Sequence, residues 1–233
     1  MEFKDYLTIA FSFAALIISI VSNFIQKNKE TERQIRKNLS ETLEGIVKVN
    51  MESTFLKRDA TIYNSENSLE LRRLYNTQRR ILIVHADYLA KRYDHLLTDI
   101  DCNIIANAFS FISDYVKADD YWKKTIEKSN SNAMRHMNLR GYARFLYMQG
   151  KKEVGRAKYN EALQVELENT DGNRREKTDT YITWAKTERD FNNPEEAGRL
   201  LEEAKISCSQ ISQRKMREDM EEQIRLATPS IGN

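Results

Sequence analysis

The sequence predicts an all-α protein: an N-terminal membrane-spanning helix, a helical stalk, and an α-solenoid of about three helical hairpins. Three observations carry that expectation. Glycine occurs 7 times and proline twice in 233 residues, so turn-formers and breakers are scarce while Leu, Glu, Lys, Arg, Ala and Ile abound. No stretch alternates with period two for long enough to make a strand. One uncharged run, Leu7 to Ile25, stands apart in a chain of which 31% is charged.

The uncharged run comes first. Crossing about 30 Å of hydrocarbon takes roughly 20 mostly apolar residues at 1.5 Å each, and Leu7–Ile25 meets that length. Tyr6, Asn23 and Gln26 stand where headgroups would lie. A cleaved secretory signal is a poorer match: Glu2, Lys4 and Asp5 do not make a basic leader, and Asn23-Phe24-Ile25-Gln26 is not a small-residue cleavage site. Lys4 precedes the run, whereas Lys27, Lys29, Arg33, Arg36 and Lys37 follow it. The positive-inside bias then expects a single pass through the inner (plasma) membrane of a bacterial cell, N-terminus outside and body in the cytoplasm. Those bases would also meet the anionic lipid surface. Two cysteines, Cys102 and Cys208, form neither a disulfide framework nor a zinc spacing.

The expected organisation is an anchor at 1–26, a juxtamembrane stalk at 27–68 and a solenoid at 69–233. Ile35, Leu39, Thr42, Ile46, Val49 and Leu56 recur at close to 4-3 spacing, interrupted by Ser53. Such a stalk either packs on its own body or self-associates into a homo-oligomer. Asn64 to Ser68 is a polar break, with Ser68 placed to cap the next helix. Helical periodicity then runs through Ile81, Val84, Leu89, Tyr93 and Leu96, and residues 69–98 read as a degenerate first hairpin with Ala86 and Ala90 in packing positions.

The second half repeats itself. Segments beginning at Asp99, His136 and Thr178 align without gaps, their starts 37 and then 42 residues apart. Each opens with a helix whose eighth residue is alanine: Ala106, Ala143, Ala185. Turns follow, centred on Ser113, Gly150 and Asn192. The second helices carry small residues at Ala118, Gly155 and Ala197, bulky ones four later at Trp122, Tyr159 and Leu201, then Thr125, Ala162 and Ala204. Small side chains let paired helices approach, and the large one fills the groove between them. One hairpin cannot bury its apolar face, so neighbours stack. Residues 214–227 read as the closing cap, with Met216, Met220 and Ile224 inward.

These small-large-small triplets, together with the eighth-position alanines, Gly150, Phe109 and Leu146, resemble the tetratricopeptide repeat, over about 115 residues. The chain departs from that pattern in its spacing, in lacking the proline that ends the second helix, and in Glu188, which stands where a large apolar residue belongs. The resemblance implies first helices that line a concave peptide-binding surface. Carried over, its positions are Asn103 and Asn107, then Arg140, Arg144 and Tyr147, then Lys186 and Arg189. Asparagines and bases side by side are similar to carboxylate-grasping grooves, except that Asn103 stands where such grooves offer a base. Asn can pair with an extended backbone, and Arg forks onto carboxylates.

Catalytic signals are missing. There is no P-loop, G-x-G-x-x-G, H-E-x-x-H or nucleophile elbow, and nothing calls for a cofactor. His85, Asp87, Asp94, His95, Asp99 and Asp101 crowd one region; of these His95 and Asp99 would share a helical face, whereas His85 and His95 would point about 80° apart. That is a surface pair before it is a metal site. With 37 basic and 35 acidic residues, bulk nucleic-acid binding is not expected. The sequence therefore predicts a membrane-anchored adaptor, not an enzyme, recruiting a protein or peptide partner, acidic if the basic groove is used. The alternative is a membrane-tethered regulator that takes nucleic acid or nucleotide through the same groove.

Overall fold

In a computed structural model, the backbone is described over residues 3–58 and 66–228 and the side chains over 21–55 and 68–228. Every regular element among the described residues is helical: nine α-helices and one single-turn 3-10 segment. The chain divides into two compact units, residues 1–97 and 98–233.

The first unit is one long antiparallel hairpin. Helix α1 runs Phe3–Arg58 and helix α2 Glu66–Arg92. Ile35, Leu39, Thr42, Leu43, Ile46 and Val49 are buried, as are Ile83, Ala86, Leu89 and Ala90 of α2. Polar contacts fix the register: Thr42 Oγ1 lies 3.1 Å from His85 Nδ1, and Arg79 donates to Asn50 Oδ1 at 2.8 Å and Ser53 Oγ at 2.7 Å. The stalk thus packs on its own chain; Ser53, which interrupts the apolar pattern, accepts from the buried Arg79. The side chain of Leu56 lies outside the described residues.

Three expectations are corrected here. The boundary set at 68/69 falls inside this hairpin, because α2 pairs with α1 instead of opening the repeat array. Ser68 is not a cap: α2 starts at Glu66, and Ser68 is buried and accepts from Arg72. Nor do His95 and Asp99 share a helix. Helix α2 stops at Arg92, and Thr98 starts α3 with a capping box, accepting from the Asp101 amide at 3.2 Å while Asp101 accepts from the Thr98 amide at 2.8 Å. His95 instead faces Glu32 at 3.5 Å, and Asp99 accepts from Asn138 at 3.0 Å.

Among the described residues no helix is long and apolar enough to cross a membrane. The expected span, Leu7–Ile25, falls mostly on residues of α1 whose side chains lie outside that description. Its described end, Val21, Phe24 and Ile25, is exposed.

The second unit stacks three hairpins and a cap. They are α3 (Asp99–Phe111) with α4 (Tyr115–Glu127), α5 (Asn132–Met148) with α6 (Lys152–Gln164), and α7 (Asp171–Asp190) with α8 (Pro194–Ser209), closed by α9 (Arg214–Ala227). The turns repeat to the residue. Ser113, Gly150 and Asn192 have positive φ of 63°, 72° and 63°. In each, the amide that follows bonds back five residues: Asp114 to Phe109 at 3.0 Å, Lys151 to Leu146 at 3.0 Å, Asn193 to Glu188 at 2.9 Å. This is the Schellman ending, which satisfies orphan carbonyls and turns the chain sharply.

All the packing positions of the repeat are buried: Ala106, Ala143 and Ala185, the bulky Trp122, Tyr159 and Leu201, and the small residues around them. Gly155 shows why small size matters. A Cβ there would sit 2.5 Å from the Tyr147 ring and 3.0 Å from the Ala143 carbonyl oxygen. Met220 and Ile224 of α9 close the core over α7 and α8.

Candidate functional site

The side chains on the first helices of the first two hairpins form a cleft. Asn107, Ser110 and Phe111 come from α3, Gly141, Arg144, Phe145 and Met148 from α5, and Trp122 from α4 beneath them; the space is about 220 Å³. Phe111 and Met148 occupy equivalent positions at the ends of their helices and are 53% and 61% exposed, an open apolar wall. Trp122 packs so closely over Gly141 that a Cβ there would meet its Cη2 at 2.7 Å. Trp122 is buried and stacks with Tyr142 and Phe145, yet its indole N–H has no acceptor among the described residues. A buried donor left unpaired costs on the order of 1–3 kcal/mol, which an incoming acceptor could recover.

Two of the seven expected groove residues line this cleft, Asn107 and Arg144. Arg144 is exposed and makes no ion pair or hydrogen bond among the described residues. Asn107 is exposed and turns its amide nitrogen back onto Asn103, 2.9 Å from both Asn103 O and Oδ1. Lys186 is exposed on α7, outside the cleft and without an ion pair among the described residues.

The other four are committed to holding the stack together, and the groove as expected is corrected accordingly. Asn103 leans on Asn138 at 3.4 Å; Asn138 in turn reaches Asp99 and Ser129 at 3.0 Å each. Arg140 bonds Asp179 at 2.6 Å and pairs with Glu176 at 3.6 Å, tying α5 to α7. Arg189 caps the last turn of α9 by donating to Ala227 O at 2.7 Å. Tyr147 is fully buried.

Tyr147 belongs to a polar centre between the second and third hairpins. Its hydroxyl donates to Glu188 Oε1, which also accepts from Trp184 Nε1 at 3.0 Å. Arg156 forks onto the same carboxylate at 2.8 and 2.9 Å, and Asn193 donates to Oε2 at 3.1 Å. Burial alone would push the Glu188 carboxyl up, but the hydrogen bonds from Arg156, Tyr147, Trp184 and Asn193 outweigh it and hold the carboxyl down near about 2. Glu188 sits at the turn position filled by Phe109 and Leu146 in the other hairpins. A charge replaces a hydrocarbon there because five donor hydrogens converge on it.

A second buried group, His136, faces Ala162 O at 2.7 Å and Thr180 Oγ1 at 2.8 Å. Burial lowers its basicity, Arg140 adding to the effect. It bonds α5 to the neighbouring helices and is fully buried.

A cavity of about 630 Å³ lies between α8 and α9 and is lined by Lys205, Cys208, Glu221, Ile224 and Arg225 among others. Its cations are already answered, Lys205 by Glu202 at 2.7 Å and Arg225 by Glu222 at 2.6 Å. Among the described residues, no group of three or more His, Cys, Asp or Glu could hold a metal.

Sequence reasoning missed Phe111, Met148 and Trp122 as cleft residues. A signal existed: Phe111 and Met148 are apolar at the same repeat position, where the third repeat has Asp190. No protein-family model matches the chain, and neither a curated protein nor a solved structure is significantly similar to it.

Proposed function

We propose that this chain is a membrane-anchored adaptor whose hairpin stack, of tetratricopeptide type, takes a peptide segment of a partner protein in the cleft between its first two hairpins. The observation that carries the reading is the composition of that cleft. One exposed guanidinium, Arg144, stands beside an open apolar wall of Phe111 and Met148, above a buried indole N–H that lacks an acceptor. An apolar side chain flanked by a carboxylate fits it: the hydrocarbon covers the wall, and Arg144 forks onto the acid. The nucleic-acid alternative is the weaker one, because two of the four groove bases are spent on internal partners: Arg140 on Asp179 and Arg189 on Ala227 O.

The anchor rests on the uncharged run Leu7–Ile25 and the five bases that follow it. On this reading the body lies on the cytoplasmic face, and confinement to the bilayer raises the local concentration of weakly held partners. No catalytic step is assigned.

A photo-crosslinking residue placed at Met148 of the full-length chain, in intact cells, tests the cleft. It should trap one defined partner, and Arg144→Glu should abolish the adduct while the same probe at exposed Val154 traps none. An adduct at 148 that survives Arg144→Glu, or equal trapping at 154, removes the cleft as the binding site. Recovery of the chain in a detergent-free soluble fraction would remove the anchor.

A further inference from the structure

The first helices of the stack repeat one stripe of positions, with the same spacing in each. On α3 it reads Ile100, Asn107 and Phe111, and on α5 Met137, Arg144 and Met148. From Ile100 to Phe111 a helix makes three turns and about 20° more, so both ends of a stripe share a side and lie about 16 Å apart. The cleft described above takes in these stripes only toward Phe111 and Met148. Their other ends are apolar and open as well: Ile100 is 56% exposed and Met137 43%. Asn138, next to Met137, donates to Asp99 at 3.0 Å and accepts from Asn103 at 3.4 Å, which brings the starts of the two stripes to one level.

We infer that Ile100 and Met137 form a second apolar subsite for the segment held in the cleft, and that this segment is extended, with two apolar residues roughly four to six apart and an acid between them. The inference rests on the cleft being a peptide site, as proposed above.

Length sets the spacing. About 16 Å is about five residues of extended chain at about 3.3 Å each, and side chains of such a chain face one way only at even separations, of which about four and about six are nearest. Charge sets the place of the acid. At the middle level stand Arg144 and, on α7, Lys186, both exposed and without an ion pair among the described residues. At the two end levels α7 carries Asp179 and Asp190 instead of apolar residues, so the apolar pairs stop at α5. Asp179 is answered by Arg140 at 2.6 Å, whereas exposed Asp190 repels an acid at its end of the groove. An acid is therefore drawn to the middle, between the apolar residues.

Hydrogen bonding selects extended backbone over helix. Asn107 spends its amide nitrogen on Asn103, which leaves its Oδ1 without a donor among the described residues, while Arg144 supplies donors from the opposite wall of the cleft. An extended chain brings a free N–H and a free C=O to such a pair; the interior of a helix has spent both on itself.

Fluorescence anisotropy with the purified full-length chain tests the subsite. The reference peptide carries one leucine beside an aspartate in a serine background. The test peptides add a second leucine about four or about six residues from the first, beyond the aspartate, in both chain directions. The best of them should bind at least about fivefold tighter than the reference, the effect of half-burying one leucine. Ile100→Ser with Met137→Ser should remove that gain, leave the reference peptide unchanged and keep the melting temperature, since both residues are exposed. Arg144→Glu should weaken every peptide. No gain from the second leucine, a gain that survives the double serine variant, or a gain found only at the eleven-residue spacing of a helical segment would overturn the inference while the cleft reading stands. Failure of the reference peptide itself to bind would overturn the cleft, and the subsite with it.

Discussion

Replacing Glu188 with glutamine tests the polar centre that joins the second and third hairpins. Glutamine keeps the size of the side chain and can still accept from Tyr147 and Trp184, but it removes the charge onto which Arg156 forks. The carboxyl is held near about 2 against an ordinary 4.5, a displacement worth about 3 kcal/mol at 1.36 kcal/mol per pKa unit. Removing one partner of a buried pair typically costs about 3–5 kcal/mol, which agrees. The folded value lies below the unfolded one, so the unfolded chain binds more protons between them. The stabilisation is therefore complete above pH 4.5 and is lost as pH falls toward about 2; about half remains at pH 3. Urea unfolding of wild type and Glu188→Gln, followed by circular dichroism, should show a gap of about 3 kcal/mol at pH 7 that shrinks to about half that at pH 3. A gap under about 0.5 kcal/mol at pH 7, or one that does not change with pH, would refute the reasoning, since surface substitutions alone give that much.

Three further outcomes follow from the packing. Gly155→Ala drives a methyl into the buried Tyr147 ring and the Ala143 carbonyl, and should cost about 1–3 kcal/mol in urea unfolding despite the better helix propensity of alanine. Asn192→Gly relieves a side chain held at φ of 63° and should stabilise by about 0.5–1 kcal/mol, whereas Gly150→Ala should destabilise by a similar amount. His136 is buried with its basicity lowered by desolvation, so its contribution is present above the unfolded value of about 6.5 and fades as pH drops below it; thermal melting should fall between pH 6.5 and 5 in wild type, and less steeply in His136→Gln.

The hairpins were legible because their spacing is local. Offsets of 37 and 42 residues located Ser113, Gly150 and Asn192, and the same three residues carry the positive φ that ends the first helices. The buried triplets and the Met220–Ile224 face of the cap came from side-chain size and 3.6-residue periodicity, which one helix displays by itself. What failed depended on partners far along the chain. Tyr147 reads as a rim residue until Glu188, 41 positions on, is seen to accept its hydroxyl. Arg140 reads as a free base until Asp179, 39 positions on, meets it. The stop before Thr98 was readable, since Thr98 and Asp101 have capping-box spacing, but apolar periodicity through Leu96 masked it. The stalk could not announce its partner because either face of α2 has the right residues.

The cleft is the central claim, and binding of short acidic-apolar peptides to the purified full-length chain tests it most directly. A peptide carrying leucine or phenylalanine beside aspartate should bind wild type by fluorescence anisotropy. It should lose at least tenfold, about 1.4 kcal/mol, on Arg144→Glu, and about as much when the aspartate is replaced by asparagine, the melting temperature being unchanged. Equal binding to wild type and Arg144→Glu, or none of these peptides binding at all, would contradict the account.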